Sequence, residues 1–235
     1  MKNVLICKSC STENPYFEVI CSNCHSFLRD RIFNIDLWIT VGQLIETPVN
    51  AFRRIIQSEH KNFVSLIFII AAFKLFISSI FISLALFKNE LALNFFFSRF
   101  LFFAGGMLLL LFVLSLLLLA VLKGNGIKTR YKDLFALLTF SFIPYFFAAI
   151  ILFPVELIIF GNYLFSVNPS PFIIKSFFAW VLVILEVLLI LWSFFLTITG
   201  TFAQTKSIKF SVANSLVFNI IVYSFIYFYS IYLTL

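Results

Sequence analysis

The sequence predicts an all-α membrane protein: a five-helix transmembrane bundle preceded by a small zinc ribbon and a short amphipathic helix. Three observations predict it. The 235 residues are 62% hydrophobic and only 11% charged, with a mean hydropathy of +1.08, whereas soluble domains run near ~45–50% apolar and ~25% charged. Beyond residue 61 the apolar residues gather in long runs. About 20 such residues carry a helix across a bilayer core ~30 Å thick. All four cysteines lie in the first 24 residues, as two CxxC pairs. A soluble globule of this size has no interior for so much apolar surface, so a bilayer acts as solvent. The 35 phenylalanines follow, with Ile, Asn and Lys, the codon bias of an AT-rich genome and mark no aromatic site.

Residues 1–30 form the predicted ribbon. Cys7-x2-Cys10 and Cys21-x2-Cys24 are separated by ten residues. Each knuckle turns both sulfurs inward, so four thiolates close tetrahedrally around structural Zn²⁺, with no open position for catalysis. In the spacer, Asn14-Pro15 reads as a turn, and Tyr16 to Ile20 as a strand delivering the second knuckle. A cytoplasmic location disfavours disulfides, and a redox CxxC would need a βαβ setting that is missing here. With so little core, metal binding supplies most of the folding energy. His25 directly follows Cys24, but four thiolates already complete the shell, so it reads as a flanking residue.

Residues 31–61 are a mixed linker. Thr47 is placed to cap, and Pro48 to begin, a short helix at about 48–57. Val49, Phe52, Ile55 and Ile56 make one face and Asn50, Arg53, Arg54 and Gln57 the other, a pattern suited to the headgroup plane. Residues 62–235 then hold five spans, at about 62–87, 94–122, 134–160, 176–202 and 210–233. Pro144 and Pro154 fall inside the third, its weak point. Gly105, Gly106 and Gly200 suit close helix packing.

The net charge of +7 is spread through short loops, not gathered in a patch. Arg53, Arg54 and Lys61 precede the first span. Lys123, Lys128, Arg130 and Lys132 follow the second, and Lys206 and Lys209 follow the fourth. The opposite loops offer Lys88 and Lys175, with Arg99 just inside span two. The positive-inside rule therefore puts the N-terminus in the cytoplasm and the C-terminus outside, in the cell membrane. The N-terminal MKNVLICKSC also lacks the apolar core of a signal peptide. In the ribbon, Lys2, Lys8 and Arg29 balance Glu13, Glu18 and Asp30, which leaves no electrostatic footprint for nucleic acid.

Two ionisable residues lie deep in the spans, Lys74 in the first and Glu186 in the fourth. Antiparallel spans bring both near the midplane, where they make a natural ion pair. Arg99 and Glu156 make a second pair near the outer boundary. Interhelical glue is the plainer role for these charges, and an ion or proton relay the functional one. The only histidines are His25 and His60, and no HExxH or GxSxG motif occurs, so no enzyme is expected.

The membrane part resembles the YIP1 family of five-span proteins. The resemblance lies in LIETPVNAFRRI (44–55), in GIKTRYKDLFALLTFSFIPYFF (126–147) with its mid-helix Pro144, and in WSFFLTITGTFAQTKSIKFSVA (192–213). It covers about residues 44–233. Eukaryotic members are implied in vesicle trafficking with Rab-type GTPases and in membrane shaping. The low-GC character points here to a bacterial member in the inner membrane, for which a Rab partner is not implied. The first functional expectation is a non-enzymatic membrane organiser or adaptor. Its bundle would sit in the lipid bilayer, the helix at 48–57 would press on the cytoplasmic leaflet and the ribbon would recruit a protein; an oligomer is compatible with this, and the sequence does not set the oligomeric state. The alternative is a small transporter or channel built on Lys74 and Glu186.

Overall fold

The computed structural model describes residues 3–87, 96–166 and 168–232; Lys2 and Lys88 lie outside the described residues. Strands β1 (Val4–Ile6) and β2 (Glu13–Pro15) pair antiparallel, with Leu5 opposite Asn14. The helices that follow are α1 (Leu37–Glu46), α2 (Pro48–Gln57), α3 (Val64–Phe87), α4 (Phe96–Gly124), α5 (Tyr131–Phe140), α6 (Ile143–Phe147), α7 (Phe153–Phe160), α8 (Pro171–Ile174), α9 (Ser176–Thr205) and α10 (Ile208–Tyr232). Five helical stretches are long and apolar enough to cross a membrane: Val64–Ser83, Phe96–Gly124, Ile143–Phe165, Ser176–Thr205 and Ile208–Tyr232. Residues such as Leu109, Phe102 and Leu117 are exposed along α4, which is stable only where lipid replaces water.

The third span differs from expectation at its start. Residues 131–140 make a separate helix, α5, and the chain turns at Ser141 and Phe142 before Pro144 takes the first turn of α6. Proline is tolerated there because the first-turn N–H has no intrahelical partner anyway. The second proline is accommodated differently. A π-helical turn (Ala148–Leu152) joins α6 to α7, with the Phe153 N–H bonding to the Ala148 carbonyl. That wider turn makes room for the Pro154 ring, so the span continues through it. Gly161 ends α7 with φ +55, a conformation that favours glycine.

The chain divides into two compact units. The first contains Met1–Ser65, Leu111–Ser141 and Phe195–Val217. In it α2 forms at the expected place, with Pro48 at its first position, although the Thr47 side chain makes no capping bond. The apolar stripe that suggested a headgroup-plane helix is spent on protein: Ala51, Phe52, Ile55 and Ile56 are fully buried as α2 packs on α1 and α5. At ~1.5–3 kcal/mol per large buried side chain, that packing outweighs what a shallow lipid contact offers. Helix α1 was not foreseen; Asp36 caps it by accepting from the Ile39 N–H at 3.0 Å. Gly200 permits close approach here, since a Cβ would sit 3.0 Å from Leu137 and 3.1 Å from Phe52.

The second unit contains Leu66–Leu110, Phe142–Phe194 and Phe218–Leu235. Aromatic residues dominate its packing, with Phe103, Phe225 and Tyr229 in mutual contact. Gly106 faces the Phe225 ring, 2.9 Å from where its Cβ would be, whereas Gly105 faces open space. Of that glycine pair, only one serves packing.

Candidate functional sites: a four-thiol cluster and a buried charge cluster

The four cysteines form no disulfide, and their sulfurs all lie within 4.8 Å of one another. The two knuckles are built alike. Cys7 N–H bonds to Thr12 O and Ser11 N–H to Cys7 O; Cys21 N–H bonds to Ser26 O and His25 N–H to Cys21 O. Ser11 (φ +55) and His25 (φ +57) occupy the same left-handed position. His25 is thus the counterpart of a serine in the other knuckle, a turn residue. The expected strand over 16–20 is displaced: β1 and β2 flank the first knuckle, a lone bridge between Ile20 and Phe27 closes the second, and Tyr16 and Phe17 lie in a turn. Asn14, expected in a turn, is buried in β2. Its Oδ1 accepts from the Ser22 N–H at 2.9 Å, and its Nδ2 donates to Thr12 O at 3.0 Å.

The cluster fits a tetrahedral ion. Cys7 and Cys24 sulfurs are 3.5 Å apart and those of Cys10 and Cys21 3.6 Å; sulfurs sharing one zinc at ~2.3 Å would lie about 3.8 Å apart. The Ser26 hydroxyl and the backbone N–H groups of Cys10 and Ser9 hold the Cys7 thiol down at about 5. The Thr12 hydroxyl lowers Cys10 as well. Donors that favour thiolate favour metal ligation.

The ribbon is bolted to its unit by contacts not visible in the sequence. Asn3 Nδ2 donates to Ala203 O at 3.3 Å, and Arg29 donates to Phe17 O at 2.7 Å and Gln57 O at 3.0 Å. The Arg130 guanidinium lies 4.5 Å from the Phe17 ring centroid, and Lys206 stands 6.0 Å from that of Tyr16. Arg130 also forks onto Asp133 at 2.8 and 3.1 Å and donates to Ile56 O. The buried Asp133 carboxylate meets Lys61 too, at 2.9 Å. Lys61 is otherwise spent on backbone, donating to the carbonyls of Ile55, Ile56 and Ser58. Burial holds Lys61 down at about 8, against the pull of Asp133.

The second unit gathers the intramembrane charges. The Lys74 ammonium donates to both Glu156 oxygens, at 2.9 and 3.1 Å, and to Glu186 Oε1 at 2.5 Å. The Ser78 hydroxyl stands 3.4 Å from both Glu186 oxygens. The expected Lys74–Glu186 pair is present, but Glu156 joins it in place of pairing with Arg99. The cause is the third span: because it begins at Ile143 and not near 134, Glu156 falls near its middle. Among the described residues no carboxylate lies within ion-pair distance of Arg99, whose backbone carbonyl accepts from the Tyr229 hydroxyl at 2.7 Å.

These charges line one wall of a cavity of about 560 Å³. Its surface is otherwise almost entirely apolar, apart from the hydroxyls of Ser78, Tyr145 and Tyr223. The two tyrosine hydroxyls are 2.7 Å apart and bonded to each other. Side-chain exposure is 1% for Lys74, 7% for Glu156 and 22% for Glu186. Glu186 is therefore the charge that an occupant of the cavity reaches.

Together these features define a multi-pass helical membrane protein with an N-terminal four-thiol cluster and a charged intramembrane cavity. Comparison with known proteins finds no matching family model, no matching curated protein and no matching solved structure.

Proposed function

We propose that this protein is a small, non-enzymatic membrane transporter that takes an amphipathic molecule into its intramembrane cavity. The observation that carries the reading is Lys74 held by Glu156 and Glu186 in the wall of a 560 Å³ cavity. Charges at that depth are costly, and a plain structural pair needs no space beside it. The volume falls in the range of small-molecule sites, and the apolar lining suits an apolar body better than a hydrated ion. Filling the cavity with Val183→Trp tests this: binding of 4-phenylbutanol to the purified protein should disappear while thermal stability holds. Undiminished binding in that variant would overturn the reading.

The ion of the four-thiol cluster is, on this reading, zinc: four thiolates in a closed set favour it. It holds the ribbon's shape and takes no part in chemistry. The loop charges support a cytoplasmic N-terminus and an outside C-terminus in a bacterial inner membrane. Support for YIP1-like ancestry comes from residues 44–55, 126–147 and 192–213, including Pro144 at the head of a helix.

A second reading, a membrane organiser or adaptor, is favoured by one observation. The ribbon's closing bridge exposes Phe27 (83%) and Ile20 (46%), apolar side chains suited to a protein partner. Phe27→Ser should then remove the partner while metal content stays unchanged.

A further inference from the structure

We infer that the cavity selects a monovalent organic cation with an apolar, ring-bearing body. The inference rests on the transporter reading and names its ligand.

The cavity has two chemically different ends. On α3 the lining residues Lys74, Ser78 and Phe81 follow one another at helical spacing, and on α9 Trp180, Val183, Glu186 and Ile190 do the same. Seven residues separate Lys74 from Phe81 and six separate Trp180 from Glu186, or ~9–10 Å at 1.5 Å per residue. The far ends are tied together: the Phe172 ring lies 5.6 Å from both Phe81 and Trp180. One end is therefore an aromatic corner and the other a carboxylate cluster, about 10 Å apart along the helices. A molecule matching both has a charged head and a ring or short chain of that length.

Charge counting decides the sign of the head. All three ammonium hydrogens of Lys74 are engaged by Glu156 and Glu186, so it has no donor left for an incoming anion. One lysine and two ionised carboxylates sum to −1, and a net charge left deep in a low-dielectric site is expensive. Neutrality requires one more positive charge. The ammonium of a bound primary amine supplies it. Tyr145 and Tyr223 also line the cavity, and aromatic rings attract cations.

The test uses three probes of one shape on the full-length protein in nanodiscs: 4-phenylbutylamine, 4-phenylbutanol and 5-phenylpentanoate. Calorimetry should rank them amine, alcohol, carboxylate. Glu186→Gln should weaken the amine at least tenfold, with the alcohol unchanged. Glu186→Asp, which keeps the carboxyl, should retain the preference for the amine and guards against a folding artefact. Equal binding of all three probes, or undiminished amine binding in Glu186→Gln, overturns the inference but leaves a ligand cavity standing. Failure of all three to bind overturns the transporter reading as well.

Discussion

The two buried charge clusters are inverses of each other. Around Asp133 two cations serve one carboxylate; around Lys74 two carboxylates serve one cation. Their surroundings differ as sharply. Lys61 and Arg130 turn their remaining donors on backbone carbonyls and the Phe17 ring, so the Asp133 carboxylate, 1% exposed, is sealed by protein although Arg130 stays half-buried. The Lys74 cluster opens on a cavity, with Glu186 partly accessible. The same chemistry thus serves two ends. A cluster whose surplus charge is absorbed by protein dipoles holds elements together. One whose surplus borders a cavity supports the proposed ligand site.

Metal removal should have the largest effect on that contrast, and on the sealed side alone. Structural zinc in small ribbons is worth ~10–16 kcal/mol of apparent binding free energy at pH 7, more than single hydrogen bonds such as those of Asn3 and Arg29 contribute. Chelation, or Cys7→Ser with Cys21→Ser, should unfold the ribbon and strip Arg130 and Lys206 of their aromatic partners. Hydrogen exchange should then rise across residues 3–30 and 126–133, while amine binding in the cavity persists. Loss of both together would mean that the two sites are not separable.

Removing the central residue of each cluster should give the next largest difference. Asp133→Asn leaves a buried lysine and a half-buried arginine that share no carboxylate, and breaking such a set costs about 3–5 kcal/mol. Arg130 cannot shed its charge; Lys61, already held down at about 8, can do so only in part near neutral pH. Lys74→Met leaves two carboxyls, which can take up protons, so the cost should stay near ~1–3 kcal/mol. Adding Glu156→Gln to Lys74→Met should recover part of it. Denaturant unfolding in mixed micelles measures both. Equal losses would show that the two clusters are the same kind of structural device.

Much of this was legible in the sequence because it rests on composition and spacing. Five long apolar runs and two CxxC pairs are local patterns, and both have counterparts in the fold. What escaped was tertiary. Arg130 and Lys206 read as topology signals, yet they also lie against Phe17 and Tyr16, aromatics from another stretch of chain. The stripe Phe52, Ile55 and Ile56 has the period of an interfacial helix, but periodicity does not say whether lipid or α5 covers it. Glu156 was paired wrongly because apolar content hid the break at Ser141. Pro144 was the available clue: a helix restarting at its first-turn proline shifts every later residue's depth by about nine positions, or ~13 Å at 1.5 Å per residue.

The smallest expected effect tests whether the sealed side is complete without histidine. His25 follows Cys24 and carries two ring nitrogens that a metal would accept, so a fifth or substitute ligand is the rival view. The knuckle geometry argues against it, because His25 sits at φ +57 where the other knuckle places Ser11 at φ +55. A left-handed non-glycine residue is strained, and glycine relieves that strain at some entropic cost in the unfolded chain. His25→Gly should therefore leave metal stoichiometry and affinity unchanged and shift ribbon stability by no more than ~1 kcal/mol, in the stabilising direction. If histidine were a ligand, the same change would weaken the metal severalfold and make its affinity less sensitive to pH near 6.5, where imidazole titrates. Competition with a chromogenic chelator, run at pH 6 and pH 8, separates the two. An unchanged pH response would mean that four sulfurs close the shell without help from His25.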